Sequence, residues 1–482
     1  MKRVVLALGL IGIINCCAMR TFAADGWASV SDTSGTAYNL TGGAAGATVT
    51  PTTAAQFYTY ATSSTPYVIQ VSGTINVSAY SNHRINVKSN KTIVGIGTSP
   101  TIYGGLNISG VSNIIISRLN INFDANEGSE DPSTDGITIQ SGAHHIWINH
   151  CSIYNSPDGL IDIGGASDYV TISWCKFYYE TGIYNTAHHF TNLIGSDDGD
   201  TGDRGKLHIT FHHNWWSSLC VERMPRVRFG QVHVYNNYYS CSSNDYCIRP
   251  GVEAQLLVEN NYFYIVDEPI DDKDTDAMVE SSGNYTYHCT NVHSDVGTDD
   301  VFTPPYSYGL ISAVYVRTIV MAGAGADGTE PTPPAVPTGL TAEANETFVV
   351  LDWNDNTESN LKGYNVYRFT DADSNYTRLT IYPITTSTYT DSSVAYGTTY
   401  YYAVTSLNTY YSESDYSSEV TAIPRIYGDF EINHTVDMND VGYLNDLWLI
   451  DDCDETVDVD INGDCLVNFL EFEAMAENWM TQ

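Results

Sequence analysis

Three arginines, Arg223, Arg226 and Arg228, fall within six residues of a chain whose formal net charge is −37. With 20 Lys and Arg against 57 Asp and Glu, a concentrated cationic patch is not compositional noise. Guanidinium groups grip carboxylates through paired N–H donors and stabilise carbanion-like charge. The complementary part is acidic. Asp158 and Asp162 flank Gly159, and Asp135 opens an earlier β-branched run. Three converging carboxylates repel one another unless a cation joins them, and calcium takes about 6–8 oxygens, leaving room for water or a substrate carboxylate. Together the two sets of residues imply a polyuronate substrate.

The elements that must position these groups are read from the runs between them. Ile148-Asn149-His150-Cys151, Ile172-Ser173-Trp174-Cys175, Phe211-His212-His213-Asn214, Val234-Tyr235-Asn236-Asn237 and Val258-Glu259-Asn260-Asn261 align in one column. Most steps are 23 or 24 residues and one is 39. That period is one coil of a parallel β-helix, in which each coil buries its apolar face by stacking on the next. Asn214, Asn237 and Asn261 then predict an internal ladder of side-chain amides. Coils stack about 4.8 Å apart, which places Asp135 on the rung below Asp158 and Asp162.

Bulk composition bounds the rest. A chain of 482 residues exceeds one core and divides into domains. Hydrophobic content of 43% excludes a disordered acidic chain, and 36 tyrosines favour strands. The acidic excess opposes nucleic-acid binding, because phosphate repulsion would have to be overcome. Lys2-Arg3, the apolar run 4–17 and the small residues near Ala23 and Ala24 read as an export signal over 1–23, so a secreted, soluble chain without a membrane span is expected. Its removal leaves eight of the ten cysteines. Cys453 and Cys465 are the natural pair near the C-terminus, and connectivity among the other six stays open.

The motifs over residues 25–265 resemble the secreted pectate lyase family. They include Trp147-Ile148-Asn149-His150, Asp158-Gly159-Leu160-Ile161-Asp162, Arg223-Met224-Pro225-Arg226-Val227-Arg228-Phe229-Gly230 and Val232-His233-Val234-Tyr235-Asn236-Asn237. The resemblance implies a right-handed parallel β-helix over 25–326 that cleaves α-1,4-polygalacturonate by β-elimination, with calcium, to unsaturated oligogalacturonides. It implies Asp135, Asp158 and Asp162 as calcium ligands, Arg223 as the base that takes the C5 proton, and Arg228 as a grip on substrate carboxylate. A guanidinium gives up its proton only above a pKa of about 12, so an alkaline optimum is expected. Arg226 is expected to face into the structure. One departure stands out. The family's carboxylate-gripping Lys, three residues before a Leu-Ile-Gly run, is here Phe190, with His188 and His189 beside it. His189 is expected to supply part of the missing charge at the substrate. The departure keeps two alternatives open: a lyase for methyl-esterified pectin, and a catalytically weak, pectin-binding β-helix.

Beyond a Pro-rich linker at 327–336, alternating strands over 337–424 resemble a fibronectin type III β-sandwich, with Trp353 in its core and Tyr400 as corner tyrosine. Residues 427–482 hold two acidic loops followed by helical stretches. Asp429, Asn433 and Asp440 mark the first, and Asp460, Asn462, Asp464, Asn468 and Glu471 mark the second. These offer oxygens at the spacing of a calcium loop, with His434 and Cys465 where a Gly usually makes the sharp turn. The segment resembles a dockerin, a small α-helical calcium-loop domain. The resemblance implies a cohesin-bearing scaffold or cell-surface partner for an otherwise monomeric enzyme.

Overall fold

The computed structural model describes residues 24–123, 134–182, 188–272, 274, 276–293, 297–328, 332–370, 377–380, 383–409, 413–425, 428–430, 436–446, 467, 468, 472, 473 and 476. The expected export segment 1–23 lies outside them. The chain forms two compact units, Met1–Gly328 and Thr329–Gln482.

The first unit is a parallel β-helix. Short strands rich in Ile and Val pair in parallel with the strand one coil away, so that like residues stack. One inward column runs Ile93, Ile116, Ile148, Ile172, Phe211, Val234 and Val258 in strict register. Its members are all fully buried. β-branched side chains suit this position because they pack well on a pleated surface, and each fully buried one stabilises the stack by about 1.5–3 kcal/mol. The step from Ile172 to Phe211 is longer than the others because the connections on both sides of the strand Asn192–Ile194 are longer in this coil. The helix Ala54–Ala61 packs Phe57 and Ala61 onto the same core.

Each coil bends at a residue with left-handed backbone: His150, Trp174, His213, Asn236 and Asn260 all have φ between 49 and 55°. The next residue is the ladder position. Asn214 Nδ2 donates to Asn237 Oδ1 at 3.1 Å, Asn237 Nδ2 to Asn261 Oδ1 at 3.0 Å, and Asn261 Nδ2 to Asn284 Oδ1 at 2.9 Å. The expected amide ladder is therefore present and continues one rung further. Each Asn Oδ1 also accepts the preceding rung's backbone N–H, as Asn237 does from Asn214 at 2.8 Å. Replacing Asn237 by Ala strands the Asn214 donors on one side of a fully buried site and removes the donor to Phe211 O and Asn261 Oδ1, and a loss of about 3 kcal/mol is expected in urea unfolding of the β-helix.

The second unit holds two antiparallel sheets, one of three strands and one of four. Leu351, Trp353, Tyr364, Val366, Tyr402 and Val404 pack between them, as a β-sandwich requires. Tyr400 accepts a hydrogen bond from the Ala395 N–H at 2.9 Å, the role expected of a corner tyrosine. A helix follows at Met438–Asp446. Among the described residues no helix is long and apolar enough to cross a membrane.

Candidate active site

The site is built on one parallel sheet of the β-helix, formed by Arg84–Asn86, Gly105–Ser109, Ile137–Gln140, Ile161–Ile163, Asn192–Ile194, Arg226–Val227 and Arg249–Pro250. Alternate residues of these strands point inward. Ile139, Ile163, Ile194 and Val227 form one buried column. The residues between them point out, and register places Asn86, Asn107, Thr138, Asp162, Leu193, Arg226 and Arg249 in a single outward column. This corrects the expectation for Arg226. Val227 takes the inward position, so Arg226 stands on the same face as Asp162, two rungs along.

The acidic end holds the expected trio. Asp135 precedes its strand and is 6% exposed, with Oδ2 accepting from Thr138 Oγ1 at 2.7 Å and a buried Oδ1 that has no hydrogen-bond partner. Asp162 Oδ1 accepts the Leu193 N–H at 3.2 Å. Gly159 keeps the space between these two carboxylates open. A Cβ there would lie 2.5 Å from Asp162 Oδ1 and 3.2 Å from Asp135 Oδ1. Burial pushes the Asp135 carboxyl up to about 7, with the negative charge of Asp158 adding to the effect and the Thr138 hydrogen bond opposing it. Burial, then repulsion from Asp135, raises Asp162 as well, against the attraction of Arg223. Arg84, two rungs below, donates to Thr138 Oγ1 at 2.7 Å and attracts the Asp135 carboxylate.

Among the described residues, no three His, Cys, Asp or Glu side chains already form a metal cage. The donor chemistry nonetheless fits a hard cation. Oxygen donors, an orphaned buried oxygen and a cleft that only Gly leaves open are what calcium requires. The acidic residues Asp124, Glu127, Glu130 and Asp131 lie outside the described residues.

At the cationic end, Arg223 has left-handed backbone, φ 64°, and its carbonyl accepts from Thr191 Oγ1 and from the Asn192 N–H at 2.6 Å. Its guanidinium lies 4.1 Å from the centre of the Phe190 ring, while its Nε is buried without a partner. Phe190 therefore offers the arginine a cation–π contact. Burial lowers the Arg226 guanidinium below its usual range, and repulsion from Arg228, Arg249 and Arg223 adds to the effect. Arg228 is 8% exposed, pairs through Nε with the largely exposed Asp198, and donates from Nη1 to Gly195 O at 3.0 Å. Arg249 pairs with Asp271 at 3.1 Å.

His189 does not reach the open face. It is 2% exposed, its ring stacks on Tyr179 at 4.2 Å, and its Nδ1 donates to Leu219 O at 3.0 Å. Burial lowers its pKa, so it offers the substrate neither charge nor contact. Register alone brings in Arg84 and Arg249, and no local motif marks them.

In the second unit, Asp429 and Asp440 are fully buried. Asp440 accepts the Phe430 N–H at 2.7 Å through Oδ1 and the Asp437 N–H at 2.8 Å through Oδ2, while Asp429 accepts from Tyr396. Asn468 is half-buried. Asn433, Asp460, Asn462, Asp464 and Glu471 lie outside the described residues.

The family model described as Pectate lyase matches residues 2–329. A pectate trisaccharide-lyase of Thermotoga maritima is 38% identical over 223 residues, 45% of this chain, and this chain spans only 56% of that protein's length. A pectate trisaccharide-lyase of Bacillus licheniformis is 35% identical over 305 residues, covering 59% of this chain and 82% of that protein. Among solved structures, a pectate lyase of Bacillus sp. N165 in complex with trigalacturonate shares the fold at a TM-score of 0.52 and 28% identity, covering 63% of this chain and 98% of that one. Fold, motif order and family match agree, and the chain belongs to the pectate lyase family.

Proposed function

We propose that the β-helix is a calcium-dependent pectate lyase that cleaves α-1,4-polygalacturonate by β-elimination. The observation that carries this reading is the single outward column. It brings Asp162 and Arg226 to one face two rungs apart, with Asp162 and Arg223 close enough to act on each other electrostatically, and this supports an acidic cleft beside an arginine group. Asp135, Asp158 and Asp162 would hold calcium. When bound, the ion neutralises a uronate carboxylate and so favours loss of the proton beside it.

The chain's own groups do the rest. Arg226 and Arg249, rung above rung, line the path of a polyanion. Arg223 is positioned by its Phe190 platform and its gripped carbonyl to take the C5 proton. As that C–H bond breaks, its electron pair forms the C4–C5 double bond, the C4–O bond breaks with its electrons going to the leaving sugar's oxygen, and that oxygen takes up a proton from water. Arginine acts as a base only without its proton, so turnover is expected to rise toward alkaline pH.

We also infer export through 1–23 and action outside the cell, with the C-terminal calcium-loop segment as an attachment to a cohesin-bearing scaffold. Two acidic loops with oxygens at the spacing of a calcium loop support that reading. Incubation with polygalacturonate and calcium at alkaline pH should raise the ultraviolet absorbance of unsaturated uronides, and a chelator should stop it. Absence of any rise under calcium-replete conditions would sink the lyase reading.

A further inference from the structure

Arg223 sits in a bulge. A parallel bridge from Phe190 to Glu222 and the pairing of Leu193 with Arg226 hold two neighbouring coils in register on either side of it. Between those pairs the lower coil has two residues, Thr191 and Asn192, and the upper coil has three, Arg223, Met224 and Pro225. The left-handed backbone of Arg223, φ 64°, takes up the difference. A bulge re-aims a side chain away from the direction that strand alternation gives it. A bulky residue keeps such a backbone only where its surroundings hold it there.

The holding group is Thr191, which is fully buried. Its hydroxyl donates to Arg223 O and lies 3.3 Å from Glu222 O. Neither carbonyl depends on the hydroxyl for a partner. Glu222 O accepts the Thr191 N–H at 3.1 Å, and Arg223 O accepts the Asn192 N–H at 2.6 Å. What the hydroxyl adds is direction: a second donor on Arg223 O fixes the peptide plane beside the Cα from which the side chain departs. The same segment also grips the acidic coil, but with backbone groups. Thr191 O accepts the N–H groups of Leu160 and Ile161 at 2.8 and 2.9 Å, and the Leu193 N–H reaches Asp162 Oδ1 at 3.2 Å. Building on the lyase reading, we propose that Thr191 is a positioning residue for proton abstraction. Its hydroxyl pins the bulge that aims Arg223, and so sets the reach of the base toward the C5 proton of a sugar bound at the acidic cleft.

The test removes the hydroxyl and then returns it. Thr191→Val keeps the branched shape and leaves both carbonyls with their N–H donors, so its melting temperature should stay near that of the parent. A catalytic group misplaced by about 1 Å costs about a hundredfold, and kcat on polygalacturonate with calcium should fall by that much. KM, and the calorimetric affinity for an oligogalacturonide, should change by less than about twofold, because the lost interaction serves the reaction and not binding. Thr191→Ser restores the donor and should recover most of the rate. The rise in melting temperature on adding calcium at pH 8 should match that of the parent, since the backbone grip on the acidic coil is unaltered. A Thr191→Val enzyme within about threefold of the parent kcat, a KM that climbs as kcat falls, or a Ser variant as slow as the Val variant would overturn the inference and leave the lyase reading intact. So would a Val variant that melts far below the parent or loses its calcium response, because the hydroxyl would then be serving the fold or the acidic coil. A parent enzyme that forms no product would overturn both.

Discussion

Replacing Arg223 with Lys is expected to lower kcat by about a thousandfold while polymer binding stays close to normal, the span typical of losing a positioned general base. Lys gives up its proton more easily than Arg, at a pKa of about 10.4 in the free side chain, so ease of deprotonation alone would make the variant faster. The loss is instead geometric. The left-handed backbone at Arg223, the hydrogen bonds from Thr191 and Asn192 to its carbonyl, and the Phe190 ring under its guanidinium fix a planar group in one place. An ammonium on a flexible stem does not reproduce that plane. Binding survives because Arg226, Arg249 and the acidic cleft are untouched. Kinetics on polygalacturonate, together with calorimetric titration of an oligogalacturonide, separate the two effects. A variant that kept a near-normal rate would show that the base lies elsewhere.

How much of this site can be read from the chain depends on whether local pattern or coil register fixes a residue. The spacing of Asp158 and Asp162 about Gly159 is local, and so is the run from Arg223 to Arg228. The structure sets Asp162 and Arg226 on strands of one sheet, two rungs apart. The amide ladder is legible because it repeats at the coil period, although Asn284 is hidden by a preceding Ser-Ser-Gly run in place of an apolar strand end. Arg226 was misjudged because its direction depends on which neighbour faces the core, and Val227 takes that place. Arg84 and Arg249 are far from the motifs in sequence, and only rung-to-rung pairing carries them to the face. His189 has the right chemistry for a substrate contact but is drawn inward by stacking on Tyr179. The Phe190 departure was visible as a missing Lys. Its role as the platform for Arg223 is a matter of three-dimensional contact, with the coil's extra length bringing the ring beneath a side chain from the next rung.

The acidic cleft makes the second large effect a dependence of stability on pH and calcium. Without a cation, the folded chain holds Asp135 with its pKa raised to about 7 and Asp162 raised in the same direction, both chiefly by burial. An unfolded Asp titrates near 3.9. A carboxyl whose pKa is higher in the folded state favours folding in its protonated form. That contribution is complete below about pH 4 and is lost as pH rises through about 7. The calcium-free β-helix should therefore melt several degrees lower at pH 8 than at pH 5. Calcium held by the cleft as proposed would reverse the sign of the problem, because a ligand of the ionised carboxylates of the folded chain adds stability by mass action. Adding it at pH 8 should recover the loss, and adding it at pH 5 should do much less. Thermal melts with chelator or calcium at the two pH values measure this, and Asp135→Asn separates the cleft from any ion taken up by the acidic loops near the C-terminus. An amide does not titrate, so in that variant the chelated melt should be flatter with pH and the calcium response of the β-helix transition smaller. A variant with the same pH slope as the parent would place the titrating group outside the cleft. A calcium response unchanged by Asp135→Asn would assign the ion to another set of oxygens.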